Sequence, residues 1–173
     1  DGFSLDAICD VNNKNLSLSK KSYPGIKVYK DFKKAIKENN FKLIVLATPT
    51  STHFNLSKFI LNNSINLLVE KPLWLSVKDH LSLNKIAIKN KVKIFIDYPF
   101  IFSGSIRYIK NVISKKKYGK LLSIESFREQ APIRKDTNVL WDLSIHDISI
   151  MNFILKNCDF KITSLIKSRK NKN

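Results

Sequence analysis

The sequence predicts an α/β fold with a parallel sheet, and three observations support this fold class. Short apolar runs, such as residues 43–47 and 66–69, have the length and composition of buried strands. Amphipathic stretches with a helical period alternate with these runs. The connections between them are short, as they are in βαβ units. The pattern covers about the first hundred residues.

The individual elements follow from apolar periodicity and capping residues. Strands are predicted at residues 5–9, 27–29, 43–47, 66–69 and 92–96. Helices are predicted at about residues 31–38, 53–62, 76–90, 106–114 and 142–156, with Asp31 and Ser76 as two of the N-caps. The helix after the third strand is expected to turn Leu56, Phe59 and Ile60 inward. The helix after the fourth strand has Leu81, Ile86 and Ile88 among its apolar positions.

The pattern changes after residue 98, which predicts two domains, residues 1–98 and residues 99–173. In the second domain, residues 121–128 and 161–167 have strand-like patterns, and residues 131–138 are polar and loop-like. Two strands do not form a stable sheet by themselves. The second domain is therefore expected to be partial.

The net charge of +17 raises the question of a polyanionic partner. The charge is spread along the chain, and only four of the 31 basic residues are Arg. Recognition of bases or phosphates favours Arg forks and interleaved aromatic residues, and the sequence shows neither. Lys, Asn and Ile are abundant and share A/T-rich codons, so we attribute the excess to base composition. No nucleic-acid partner is predicted, and a polyanion-binding module is the minor alternative.

The sequence also disfavours a membrane protein and a secreted protein. No apolar run approaches the ~20 residues that a membrane span needs, and the first residues lack a secretory signal. Cys9 and Cys158 form no spacing motif, so we expect two free, buried thiols in a reducing cytoplasm. No metal site and no membrane partner are predicted.

Two predicted strand ends carry residues suited to a dinucleotide, because ligands of open parallel sheets bind at the carboxyl ends of strands. Asp10 follows the first strand, where a carboxylate accepts hydrogen bonds from ribose hydroxyls and repels a 2′-phosphate, which favours NAD over NADP. Thr48 and Pro49 open a helix whose amides can hold a ribose or phosphate. A structural loop Asp and an ordinary N-cap are equally open, and a solvent-facing or capping role is favoured for His53.

Glu70, Lys71 and Pro72 follow the strand at residues 66–69 and form the most informative of these strand ends. A charged pair directly after a buried strand is costly unless it serves a site. A Lys at this position can hold a substrate hydroxyl and stabilise its developing alkoxide, and Pro72 stiffens the turn. Ordinary charged loop residues are the alternative interpretation.

Asp142 and His146 lie four residues apart on a predicted helix, which places them on one face. His is suited to proton transfer near neutral pH, and a carboxylate one turn away could orient it or bind substrate. A helix-starting Asp and a partly buried His are the alternative. Asp147 points about 100° away and is interpreted as structural.

Together these motifs resemble the glucose-fructose oxidoreductase and inositol dehydrogenase family, Gfo/Idh/MocA. The similarity rests on three segments in the same order, residues 43–53, 68–73 and 139–148, and it runs from about Leu5 to Leu155. The resemblance implies an incomplete Rossmann-type parallel sheet followed by part of an α/β domain with an open, largely antiparallel sheet. The four glycines form no G-x-G-x-x-G loop. We therefore expect a fragment truncated at both ends, whose own ability to bind cofactor is in question.

The resemblance also implies roles for the candidate residues. Lys71 is the expected catalytic lysine, and Asp142 and His146 complete the substrate site. The expected cofactor-side residues are Asp10, Thr48, Pro49, His53 and Glu70. The implied cofactor is NAD, with NADP as an alternative, and the full-length protein is expected to be a cytoplasmic homo-oligomer.

The expected chemistry is hydride transfer between nicotinamide and a hydroxyl of a sugar, nucleotide-sugar or cyclitol. In this hypothesis His146 accepts the hydroxyl proton, Lys71 stabilises the charge on oxygen, and Asp142 orients His146 or holds a neighbouring hydroxyl. Within the enzyme class the alternative is a nucleotide-sugar 3-dehydrogenase, with Arg134 and Lys135 near a diphosphate. A non-catalytic member that binds sugar or nucleotide is the alternative outside it.

Overall fold

A computed structural model describes residues 2–73, 76–128, 140–156 and 163. Strands and helices alternate as predicted through the first part of the chain. The strands are β1 (Ala7–Cys9), β2 (Lys27–Tyr29), β3 (Leu43–Leu46), β4 (Asn66–Val69) and β5 (Ile94–Ile96). The helices are α1 (Asn13–Ser22), α2 (Phe32–Glu38), α3 (Thr50–Asn62), α4 (Val77–Lys89), α5 (Gly104–Ser114) and α6 (Ile145–Leu155). A 3₁₀ helix (Pro99–Phe102) precedes α5, and a π-helical turn (Leu140–Ser144) leads into α6.

The strands pair in parallel, as the sequence predicts, but they form two sheets rather than one. β1 pairs with β2, and β4 lies between β3 and β5 in the second sheet. Val69 pairs with Leu46 on one side and with Ile96 on the other, so the three strands end in register. Glu70 donates its amide to the carbonyl of Leu46 at 3.0 Å and continues the ladder one residue further. Segments that follow these strands therefore start from one common edge of the sheet.

The main core lies between β4 and the helices α3 and α4. Leu67 and Val69 of β4 are completely buried, as are Ile60 of α3 and Leu83 of α4. Burying a side chain of this size contributes about 1.5–3 kcal/mol relative to leaving it in water. This core fixes the end of β4, and with it the start of the turn at Glu70.

The second described part of the chain is helical. The 3₁₀ helix and α5 both pack against α6, and the Nζ of Lys110 lies 3.5 Å from the ring centroid of Phe153. The predicted strand at residues 121–128 is wrong. Those residues pair with no strand among the described ranges, and Leu122 and Phe127 are each 90% exposed. A strand requires a hydrogen-bonded neighbour, and apolar alternation alone does not provide one.

Three further differences have physical causes. Helix α1 was not predicted because its sequence is mostly polar, although Asn12 caps it by accepting from the amide of Lys14. Helix α3 begins at Thr50 rather than near His53. On α4 the residues that pack inward are Leu83, Ile86 and Ala87, which are spaced i, i+3, i+4, whereas the apolar residues Leu81 and Ile88 are exposed.

Cys9 is a free thiol, but the predicted burial of its side chain is wrong, because this end residue of β1 is exposed. The other predictions are either confirmed or untested. Asp31 and Ser76 cap α2 and α4 as expected, and Leu56, Phe59 and Ile60 contact the core. The predicted loop at residues 131–138 lies outside the described residues, as does the strand at residues 161–167 apart from position 163. The domain boundary after residue 98 stays a prediction. Within the described residues, no helix has both the length and the apolar character that crossing a membrane requires.

Two Leu→Ala substitutions on α4 test the observed orientation of this helix. Leu83→Ala removes a fully buried side chain and is expected to lower the free energy of unfolding by about 2–5 kcal/mol. Leu81→Ala changes a residue that is 53% exposed and is expected to cost under about 1 kcal/mol. Chemical denaturation of both variants measures the difference. Equal losses would contradict the observed orientation.

Candidate active site

The pair Lys71 and Asp142 joins the turn after β4 to the π-helical turn before α6. The Lys71 Nζ donates to Asp142 Oδ1 and to the Asp142 backbone carbonyl, each at 2.8 Å. Only 16% of the Lys71 side chain and 8% of the Asp142 side chain are exposed to solvent. A charged group this poorly solvated requires a partner, and each supplies the other's. The π-helical turn places both the carboxylate and the carbonyl of Asp142 where Lys71 reaches them.

His146 lies one turn beyond Asp142, on α6, and is itself buried. Its ring meets the Phe100 ring edge to face, with centroids 4.9 Å apart and an interplanar angle of 82°. Its Nδ1 is buried and has no hydrogen-bond partner among the described residues. Packing against an aromatic ring, rather than a hydrogen bond at Nδ1, therefore orients this imidazole in the described structure.

The surroundings of His146 favour its neutral form. Burial lowers the pKa of His146 from its ordinary value of 6.5, and the positive charges of Lys71 and Arg128 lower it further. The carboxylates of Asp147 and Asp142 act in the opposite direction but do not outweigh these effects. A neutral imidazole at neutral pH can accept a proton, as a general base must.

A second ion pair, between Arg128 and Asp147, lies next to His146. The Arg128 Nε donates to Asp147 Oδ2 at 3.1 Å, and its second nitrogen donates to Oδ1 at 3.0 Å. Ser126 Oγ also donates to Oδ1 at 2.9 Å. Burial raises the pKa of Asp147, but the bonds from Arg128 and Ser126 outweigh burial and hold it below its ordinary value. The bidentate pair thus keeps Asp147 ionised.

His53 is buried in the first turn of α3, with 1% of its surface exposed. Its Nδ1 lies 3.0 Å from the carbonyl oxygen of Pro72, and its Nε2 lies 2.8 Å from that of Thr48. One side chain therefore joins the loop after β3 to the turn after β4. The solvent-facing or capping role favoured from the sequence is wrong, because the helix turns this ring toward the two loops.

Asp10 follows β1 directly and is held by its own loop. The Asn12 amide donates to Oδ1 at 2.7 Å, and the Asn15 side chain donates to Oδ2 at 2.8 Å. These hydrogen bonds, that from Asn12 first, lower the pKa of Asp10 and stabilise its carboxylate. The ionised form can accept further hydrogen bonds at the carboxyl end of β1.

The loop after β3 opens α3 without a side-chain cap. Pro49 occupies the N-cap position, and the Thr52 hydroxyl donates to its carbonyl at 2.7 Å. The Thr52 proton is used there, so Thr48 donates in the 2.6 Å contact between the two hydroxyls. A helix start of this kind leaves backbone amides and the positive end of the helix dipole facing the sheet edge.

Comparison with known proteins identifies the family. A model described as an oxidoreductase family with an NAD-binding Rossmann fold, Gfo/Idh/MocA, matches residues 1–98, more than half of the chain. The chain belongs to the Gfo/Idh/MocA oxidoreductase family. The resemblance inferred from the sequence motifs, and the α/β Rossmann fold that it implies, are thereby confirmed.

Individual relatives extend the match beyond residue 98. Myo-inositol 2-dehydrogenase of Thermotoga maritima is 27% identical over 158 residues, which are 87% of this chain and 47% of that protein. An Agrobacterium radiobacter oxidoreductase solved with NAD⁺, L-tartaric acid and magnesium superposes with a TM-score of 0.74 at 22% identity, covering 87% of this chain and 46% of the other. Scyllo-inositol dehydrogenase of Lactobacillus casei, solved with NAD(H) and scyllo-inositol, gives 0.73 at 19%, covering 87% and 48%. The chain spans about half the length of these relatives.

Within this Gfo/Idh/MocA chain, the structure brings together some of the predicted site residues. Lys71 and Asp142 are in direct contact, and His146 lies on the adjoining turn within reach of the Lys71 charge. Asp142 contacts Lys71 through its carboxylate and its backbone carbonyl, and its expected role of orienting His146 or holding a substrate hydroxyl stays a prediction. Arg134 and Lys135 lie outside the described residues.

Sequence reasoning missed two participants in this cluster and underestimated a third. Phe100 was not among the predicted site residues, and nothing in its spacing pointed to His146. Arg128 was placed in the strand predicted at residues 121–128, yet it pairs with Asp147, which was interpreted as structural. The single available signal was the combination of a lone Arg and an Asp adjacent to the candidate His.

Replacement of His53 tests the link between the two loops. His53→Leu removes the ring that contacts the carbonyls of Thr48 and Pro72 and is expected to lower the free energy of unfolding by about 1–3 kcal/mol. Asn55→Leu, an exposed substitution on the same helix, is the control and is expected to change it by less than about 0.5 kcal/mol. Urea denaturation compares the two variants. Full stability of His53→Leu would show that the link is dispensable.

Proposed function

We propose that the full-length protein is an NAD-dependent dehydrogenase that acts on a hydroxyl of a sugar, nucleotide-sugar or cyclitol. The observation that carries the proposal is the convergence of Lys71, Asp142 and His146 at the carboxyl edge of a parallel sheet in a member of an NAD-binding family. The inositol dehydrogenases among the relatives support a polyhydroxylated substrate. We further propose that residues 1–98 form the cofactor domain and residues 99–173 belong to the substrate domain.

The groups that would hold the cofactor fit a dinucleotide. Asp10 offers an ionised carboxylate at the end of β1, suited to ribose hydroxyls and unfavourable for a 2′-phosphate, which supports NAD over NADP. The start of α3, at Thr48 and Pro49, offers amides and the helix dipole to a ribose or phosphate. Glu70 starts the turn that carries Lys71. Both ring nitrogens of His53 contact backbone carbonyls, so we assign it an indirect role through the loops that it joins.

Bound NAD would supply the acceptor, and NADH the donor, of the hydride at the carbon that bears the reacting hydroxyl. Lys71 supplies a positive charge that Asp142 holds in place by two hydrogen bonds. Such a preorganised ammonium stabilises negative charge developing on the substrate oxygen at little reorganisation cost. Asp142 thus acts first on Lys71.

His146 is proposed to accept the proton of the reacting hydroxyl. Its burial and the nearby charges of Lys71 and Arg128 keep the imidazole neutral and able to take a proton at neutral pH. In the reverse direction the imidazolium returns that proton to the oxygen. In this proposal Lys71 stabilises the charge on the substrate oxygen, and His146 transfers the proton.

Lys71→Met in the full-length protein tests the catalytic assignment. The variant keeps a side chain of similar length without the ammonium, and turnover is expected to fall by about 10³-fold while NAD affinity changes little. NADH formation and a fluorescence titration with NADH measure the two quantities. Lys58→Met, an exposed Lys on α3, is the control. Near-normal turnover of Lys71→Met would contradict the assignment, and no NADH formation by the wild type with any polyol would favour a non-catalytic member.

The lowered pKa of His146 gives an expected pH profile. The folded protein lowers the pKa of His146 below its ordinary value of 6.5, so the imidazole stays neutral to a lower pH. The acidic fall of kcat/KM is therefore expected to lie below pH 6.5. His146→Gln is expected to remove this fall and reduce kcat by about 10²–10⁴-fold. A profile that falls above pH 6.5, or one unchanged in His146→Gln, would contradict the role of His146.

A further inference from the structure

We propose that Phe100, Arg128 and Asp147 form a positioning cluster that holds the His146 ring and sets the electrostatic field around it. The inference rests on the proposed function only where it concerns catalysis, since the cluster itself is a property of the fold. None of these three residues is proposed to touch substrate. Their contacts show how each acts on His146.

The first step of the argument is geometric. Phe100 presents its ring to His146 in a T-shaped contact at 4.9 Å, and the Arg128 guanidinium carbon lies 4.8 Å from the centroid of the same ring. Arg128 is in turn fixed by its bidentate pair with Asp147, the residue after His146 on α6. The contacts thus run from His146 to Phe100, then to Arg128, and return to α6 at Asp147.

The second step concerns what holds the imidazole. A catalytic His is commonly oriented by a hydrogen bond to its second ring nitrogen. In the described structure the Nδ1 of His146 is buried without such a partner. The Phe100 edge contact, stiffened by the guanidinium on that ring, takes the place of the hydrogen bond.

The third step concerns charge. The charged groups that act on His146 are Lys71 and Arg128, which disfavour the imidazolium, and Asp147 and Asp142, which favour it. The other elements packed against α6 add little to the electrostatic field around His146. The 3₁₀ helix carries no charged residue. On α5, Arg107 lies against Phe102 and Lys110 against Phe153. Arg128 and Asp147 therefore form a balanced pair, and removing either charge leaves the other uncompensated.

Substitutions of the two charges should move the titration of His146 in opposite directions. In the full-length protein, Arg128→Gln is expected to shift the His146 midpoint to higher pH, and Asp147→Asn to lower pH, each by about half a pH unit. Arg107→Gln is the control and is expected to cause no shift. NMR titration of the His146 ring, assigned with His146→Gln, measures the midpoints without requiring turnover. The kcat/KM profiles of the same variants are recorded in parallel.

Substitution of the aromatic contact tests the positioning role. Phe100→Leu is expected to lower kcat about tenfold with KM little changed, while the exposed Phe102→Leu keeps wild-type kcat. A normal kcat for Phe100→Leu would overturn this part of the inference, and so would an equal loss in both variants. Thermal unfolding of each variant confirms that the compared proteins are folded.

The outcomes separate this inference from the proposed function. Opposite NMR shifts with matching kinetic shifts support both. Opposite NMR shifts with an unmoved kinetic profile support the cluster and contradict His146 as the base. No NMR shift in either charge variant, or shifts of the same sign, would overturn the cluster even if His146→Gln abolishes the acidic limb.

Discussion

The candidate site depends on one interaction, the buried ion pair between Lys71 and Asp142. Each partner is poorly solvated, and removal of one would leave the other as a buried charge at a cost of about 3–5 kcal/mol. Lys71 belongs to the turn after a sheet strand, whereas Asp142 belongs to the π-helical turn before α6. The pair therefore joins the sheet edge to the helical part of the chain and fixes where His146 lies. Positions of the other site residues follow from that junction.

The sheet edge is itself organised by polar groups that satisfy backbone atoms. The aligned ends of β3, β4 and β5 bring their following loops together, and His53 joins two of those loops through their carbonyls. Buried polar groups of this kind are stable only when they are hydrogen-bonded, so the two loops constrain each other. The cofactor side and the Lys71 turn are thus parts of one connected structure.

Much of the fold could be predicted from the sequence, because apolar runs and caps such as Asp31 are local signals. The candidates Lys71, Asp142 and His146 were also found, since strand ends and helix spacing limit where such residues lie. What escaped prediction depends on tertiary partners. The burial of His53, the T-shaped contact of Phe100 and the pairing of Asp147 with Arg128 all join residues far apart in sequence. The strand expected at residues 121–128 failed for the same reason, since a strand is defined by its neighbour.

The sequence distance spanned by the ion pair has a kinetic consequence. Lys71 and Asp142 are separated by 71 positions, whereas the pairing of β3 with β4 joins residues only 23 apart, such as Leu46 and Val69. Closing a loop of that length costs about 4 kcal/mol in chain entropy, so such contacts form after local ones have reduced the freedom of the chain. The strand–helix units can assemble while the reactive constellation is still open. Completion of the site is therefore expected to be a late folding event, and burial of Lys71 would report that the chain has finished folding.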